Sequence, residues 1–131
     1  MKIKKTCFAI GILIALFSSK SAWAQHKNLM VRIAKIEVDS AQLESYKAIL
    51  KTEIETSVRV ESGVLSLNAV ADKNNPTHIT ILEVYASVEA YKAHIETPHF
   101  KIYKTSTKEM VKALQLIEVD PIMLANKHKN P

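Results

Sequence analysis

The sequence predicts a single α+β domain, a four-stranded antiparallel sheet with helices on one face. Three observations predict it. Segments rich in β-branched residues, Val31 to Val38, Val64 to Ala71, His78 to Ala86 and a closing Leu114 to Val119, read as strands. Leu43, Tyr46, Leu50, Ile54 and Val58 recur at spacings of three and four between the first two strands, which marks a long amphipathic helix. A turn-forming cluster, Asp72-Lys73-Asn74-Asn75-Pro76-Thr77, joins the second and third strands as a hairpin.

Taken in order, Asp39 is placed to cap the long helix, with Gln42 three residues on completing a capping-box pattern. Lys47, Lys51, Glu55 and Arg59 line its polar side, and Gly63 ends it with the backbone freedom a turn needs. Ser87 caps a short helix running to Ile95, and Thr97-Pro98 opens another with Thr at the cap and Pro at the first helical position. Phe100, Tyr103, Thr107, Met110 and Val111 continue that second piece at helical spacing. The order strand, long helix, strand, strand, broken helix, strand is the split arrangement of a ferredoxin-like fold.

A simple hairpin register puts Val64, Ser66, Asn68 and Val70 on one face with Tyr85, Glu83, Ile81 and Ile79. Its apolar members make it too greasy to leave wet, so the expectation is a homodimer with two such sheets packed together. Within that face Asn68, Ser66, Glu83 and Tyr85 have the chemistry of a pocket lining.

The N-terminus carries a different message. Met1 to Lys5 is basic, Cys7 to Phe17 is an almost unbroken apolar run of eleven residues, and Ala22-Trp23-Ala24 is a small-x-small cleavage pattern. Together they read as a secretory signal peptide over residues 1–24, too short to span a bilayer. The expected mature chain starts at Gln25 and works in the periplasm or outside the cell, without stable membrane insertion. A short linker, 25–30, precedes the domain at 31–122, and a polar tail, 123–131, follows it.

Removing the signal takes four of the 18 basic residues and none of the 13 acidic ones, leaving 14 against 13. A chain so nearly neutral, with no clustered Lys/Arg face, is not a nucleic-acid binder. Cys7 and Trp23 leave as well, so disulfides, thiolate metal sites and a cysteine nucleophile are excluded from the mature chain. Gly63 is its one glycine, which disfavours the glycine-rich loops of nucleotide and dinucleotide sites and the hydrolase nucleophile elbow.

Leu82-Glu83-Val84-Tyr85-Ala86-Ser87, followed by Tyr91-Lys92-Ala93-His94 and Thr97-Pro98-His99-Phe100, resembles the central signature of the antibiotic biosynthesis monooxygenase (ABM) family, and within it the quinol monooxygenase branch. The resemblance implies a dimeric ferredoxin-like α+β barrel that oxygenates quinols or other small electron-rich aromatics with molecular oxygen as co-substrate and without flavin, haem or metal. In such chemistry a deprotonated substrate itself transfers an electron to oxygen, so the protein supplies a base, donors for the phenolate and a dry cavity. Tyr91 falls where the family places a functional tyrosine. Tyr85 falls where antibiotic-tailoring members have tryptophan, and their functional asparagine corresponds to Ile81. Asn68, opposite Ile81 in the hairpin register above, is expected to supply the missing amide.

The candidate catalytic set is therefore His94 as base, Tyr91 as its orienting donor one helical turn away, and His99 at the helix start. The candidate substrate-binding set is Tyr85, Asn68, Glu83, Tyr103 and Ile81. Each has an ordinary structural reading beside it: Tyr91 and Tyr103 as core, His94 and His99 as hydrogen-bonding residues at a helix break, Glu83 and Asn68 as partners across a dimer. No metal site is expected, because His78, His94 and His99 lack the one-face spacing of a metal-binding helix. A non-catalytic dimer binding a small hydrophobic ligand, and a haem-binding or haem-degrading relative, are the alternative functions.

Overall fold

The computed structural model describes residues 28–127. The signal peptide, the start at Gln25 and the last residues of the polar tail lie outside the described residues. Seven main elements follow in order: β1 (Met30–Val38), α1 (Leu43–Val60), β2 (Val64–Ala71), β3 (His78–Tyr85), α2 (Val88–His94), α3 (Pro98–Thr107) and β4 (Val111–Val119). The strands form one antiparallel sheet in the order β2-β3-β1-β4, the ferredoxin-like topology. Among the described residues, no helix is long and apolar enough to cross a membrane.

Local chemistry sets the helix boundaries. Asp39 accepts from the Ala41 amide and caps a single 3₁₀ turn, Ser40–Gln42, from which α1 continues. Gln42 makes no capping box; its side chain instead donates to the Glu109 carbonyl at the end of the last helical connection. Ser87 accepts from the Ala90 amide at the start of α2, and Thr97 accepts from the Phe100 amide at the start of α3, where Pro98 occupies the first turn. Helix α3 stops sooner than its apolar spacing predicts, because Val111 already pairs with Val38 in β4.

The hairpin register differs from the expected one by a residue. Val64 pairs with Tyr85 as expected, but an irregularity between Val64 and Ser66 shifts the remainder, so that Leu67 faces Glu83 and Ala69 faces Ile81. Because strand side chains alternate faces, this slip moves Asn68 to the opposite side of the sheet from Ile81 and Glu83. Asn68 is exposed and cannot supply an amide to their space.

The face shared by Ile79, Ile81, Glu83 and Tyr85 is also the one that meets the helices, not a free face. Ala34, Ile36 and Val38 of β1 join Ile79 and Ile81 beneath Tyr46 and Leu50 of α1 to form the main core. Met30, Val64 and Tyr85 make a smaller cluster backed by Tyr91. The other face carries the apolar block Val31, Ile33, Leu82, Val84, Ile117 and Val119, with Asn68, Lys35 and Gln115 among its polar positions.

Helix α1 departs from its predicted stripe at one end. Tyr46 and Leu50 are buried, but the next inward positions are Glu53 and Ser57, while Val58 is 46 % exposed. The C-terminal half of the helix thus turns polar groups inward. Gly63, which follows α1, has no positive φ, so its expected role as a conformational hinge is not what requires glycine. A Cβ there would stand 2.6 Å from the Ala90 Cβ, and that closeness seats α2 on the turn into β2. Gly63→Ala is expected to lower stability by roughly 1–3 kcal/mol through overpacking, measured by denaturant unfolding; an unchanged midpoint would show that α2 is free to move away.

Candidate active site

Between the helices and the sheet lies a cavity of about 80 Å³. Its floor is the inward face of β1, β3 and β4, its roof comes from α1 and α3, and α2 closes one end. One row of the sheet crosses that floor as Leu67, Glu83, Arg32 and Glu118, since Glu83 and Glu118 both pair with Arg32. The next row, Ala69, Ile81, Ala34 and Leu116, is apolar. A charged row beside an apolar one gives the cavity a polar end and a greasy end.

At the polar end the break between α2 and α3 brings two histidines onto the C-terminal part of α1. His94, the last residue of α2, is 2 % exposed, and its Nδ1 lies 3.0 Å from Glu61 Oε2. His99 Nε2 is 2.6 Å from the same oxygen. Glu61 can only accept when ionised, so each ring donates to it, and neutral His94 is left with its lone pair on Nε2. Glu53 Oε1, 3.6 Å from that nitrogen, accepts from the Ser57 hydroxyl at 2.6 Å. His94 and Glu53 both line the cavity, whereas His99 lies behind them in a groove between α1 and α3. Burial alone would push the Glu61 carboxyl up; the hydrogen bonds from His99 and His94 outweigh it and hold the group below the usual carboxylate range.

Aromatic rings frame the imidazole. Phe100 packs edge-on at 4.8 Å and Tyr85 at 5.4 Å between ring centroids. Tyr85 Oη donates to Glu83 Oε2 at 3.0 Å, and burial together with the neighbouring Glu83 carboxylate pushes the Tyr85 phenol far up, so it stays a neutral donor. Tyr103 Oη is 2.7 Å from Tyr46 Oη, and burial likewise raises the Tyr103 phenol. Arg32 stacks its guanidinium 4.2 Å from the centre of the Tyr91 ring and pairs with Glu118 at 3.1 Å. Tyr91 therefore meets Arg32 and Tyr85 rather than donating to His94.

Of the residues expected at a site, His94, Tyr91, Tyr85, Glu83, Tyr103 and Ile81 all line this one cavity, within a single protomer rather than between two sheets. His99 reaches it only through Glu61, and Asn68 does not reach it at all. Three charged residues complete the site unforeseen: Arg32, Glu53 and Glu61. Two had a readable signal. Arg32 stands in the inward phase of a strand that continues Ala34, Ile36 and Val38, and Glu53 stands three residues after Leu50 on the buried stripe of α1. Glu53, His94 and His99 also offer ligand atoms within 4.8 Å of one another, a set able to hold a metal ion. His78, exposed at the start of β3, is not part of it.

The antibiotic biosynthesis monooxygenase family model matches residues 29–105, more than half of the chain. The chain belongs to this family. A candidate antibiotic biosynthesis monooxygenase from Bacteroides thetaiotaomicron is 53 % identical over 79 % of this chain and 99 % of its own, with a TM-score of 0.76. A candidate monooxygenase from Lactobacillus acidophilus is 36 % identical over 68 % of this chain and 42 % of its own, with a TM-score of 0.67. One from Fusobacterium nucleatum is 27 % identical over 79 % of this chain and 47 % of its own, at a TM-score of 0.72. The chain thus spans nearly all of the first relative and less than half of the length of the other two. Among curated proteins none matches.

Within this ABM domain Glu83 has the least comfortable charge. Burial pushes its carboxyl up, against the Tyr85 hydrogen bond and the Arg32 charge that pull it down. A carboxyl raised in the folded state leaves stability untouched below the ordinary carboxylate range and lowers it progressively as pH rises through the raised value. Glu83→Gln keeps an acceptor for Tyr85 and is expected to be more stable than wild type at neutral pH and equal to it in acid. Unfolding midpoints across that range check this, and a variant weaker at neutral pH would contradict it.

Proposed function

We propose that this ABM-family chain is an exported, cofactor-independent monooxygenase acting as a homodimer on a small, single-ring quinol or other electron-rich phenol. The observation that carries the reading is the Glu61–His94 pair beside a cavity that also holds Arg32. A carboxylate fixing one imidazole nitrogen leaves the other as a base and stabilises the imidazolium once a proton arrives. His94 Nε2 takes the phenolic proton, and the Arg32 charge favours the phenolate that forms. The phenolate then gives an electron to oxygen, a carbon–oxygen bond forms, and one oxygen atom leaves as water. For a hydroquinone the balance is quinol plus O₂ to hydroxyquinone plus water, with all four electrons that reduce the oxygen drawn from the substrate.

Size sets a single ring, partly inserted, as the upper limit. A cavity of about 80 Å³ is small beside the ~300–1,000 Å³ of drug-sized ligand sites and below the ~150 Å³ that accepts benzene. One edge of a ring enters, and the remainder lies over Leu114 and Leu116, each about half exposed on the edge strand. Homodimer formation draws on exposed apolar side chains of the two edge strands, Val70 of β2 and Leu114 and Leu116 of β4, and export on the basic and apolar N-terminal residues.

Oxygen-electrode assays with substituted hydroquinones test the activity. Wild type is expected to consume oxygen, and His94→Ala and Glu61→Gln, assayed at a temperature where each less stable variant is still folded, to lose about 10²–10⁴-fold in kcat. Full activity in His94→Ala would exclude the imidazole as base, while ligand binding without oxygen uptake would favour a plain binding protein. N-terminal sequencing of protein recovered from outside the cytoplasm is expected to begin at Gln25; protein found only inside the cytoplasm with Met1 intact would end the export reading.

A further inference from the structure

We infer that Glu53, His94 and His99 form a binding site for one divalent first-row transition ion of the zinc class. His94 Nε2 and Glu53 Oε1 are 3.6 Å apart, and two ligands held about 2.0–2.1 Å from a tetrahedral ion stand roughly 3.4 Å from each other. That edge already has the required length. With all three ligand atoms inside 4.8 Å, a deprotonated ring nitrogen of His99 completes a two-histidine, one-carboxylate set by closing in by up to roughly 1.4 Å, giving up its hydrogen bond to Glu61 where that nitrogen is Nε2. Imidazole with a single carboxylate suits zinc, nickel, copper or iron rather than the all-oxygen sites of calcium or magnesium.

Charge supplies an independent argument. Glu53 is 6 % exposed and the Glu61 side chain 12 %, and among the described residues no lysine or arginine pairs with either. The buried Glu53 carboxylate faces only an imidazole and the Ser57 hydroxyl and lacks a permanent cation, which is costly in the interior. A divalent ion supplies that missing charge. The supporting contacts are in place as well: Glu61 accepts from His94 Nδ1 and fixes the ring, and the Ser57 hydroxyl orients the Glu53 carboxylate. A groove of about 380 Å³ between α1 and α3, lined by Glu53 and His99, gives the ion a route from the side opposite the cavity.

An ion seated on His94 Nε2 occupies the lone pair that proton transfer needs, so it blocks turnover from behind. That consequence rests on the base assigned to His94 above; binding itself does not. Calorimetric titration of the mature protein with zinc chloride, without substrate, tests the site, with cobalt(II) absorption as a direct report of coordination. The expected result is one equivalent bound, weakened at least about tenfold in His99→Gln and in Glu53→Gln and unchanged in His78→Ala. No stoichiometric binding, or binding lost with His78 rather than with the cluster, overturns the site, and does so whether or not the protein consumes oxygen. Where quinol-dependent uptake is present, one equivalent of zinc is expected to stop it and a chelator to restore it; uptake persisting with the ion bound overturns the block.

Discussion

The Glu61 carboxylate, held between two imidazoles, is the contact on which the arrangement of the helices depends. It joins the C-terminal end of α1 to the last residue of α2 and the first turn of α3, which lie 33 and 38 residues further along the chain. Removing either partner would strand a largely buried charge, which costs far more than a surface pair contributes. The break between α2 and α3 is fixed by the same logic, since Thr97 donates to the His94 carbonyl while accepting from the Phe100 amide. Backbone capping therefore sets the angle at which His94 and His99 meet one oxygen.

A second constraint follows from what α1 places inward. A leucine at position 53 would contribute roughly 1.5–3 kcal/mol by burial, and the chain has Glu53 there instead, satisfied by Ser57. Arg32 is the matching case on the sheet, a charge between two cross-strand glutamates where the strand otherwise turns small and aliphatic residues inward. Its buried Nε has no hydrogen-bond partner, against the face of Tyr91. Charged groups given core positions on two separate elements, both bordering one cavity, are an expense in stability with a chemical rather than a structural rationale.

The element order, the capping residues at Ser87 and Thr97, and the Pro98 helix start were legible because each depends on residues within a turn of one another. So were most of the cavity's aromatic and histidine residues, through the Tyr85 to Phe100 segment. Asn68 was misplaced by a single irregularity near Val64, which no local pattern announces, and the polar Glu53 and Ser57 were passed over in favour of Val58, the more apolar but outward residue.

By itself the sequence determined the order of the strands, the caps of α2 and α3, the absence of cysteine from the expected mature chain, and the histidine-bearing break, since period and capping are local properties. The tertiary structure alone decided which sheet face meets the helices and that Glu61 receives both imidazoles. Those outcomes depend on register and on crossing distances between elements, which arise only when residues remote along the chain compete for the same buried space.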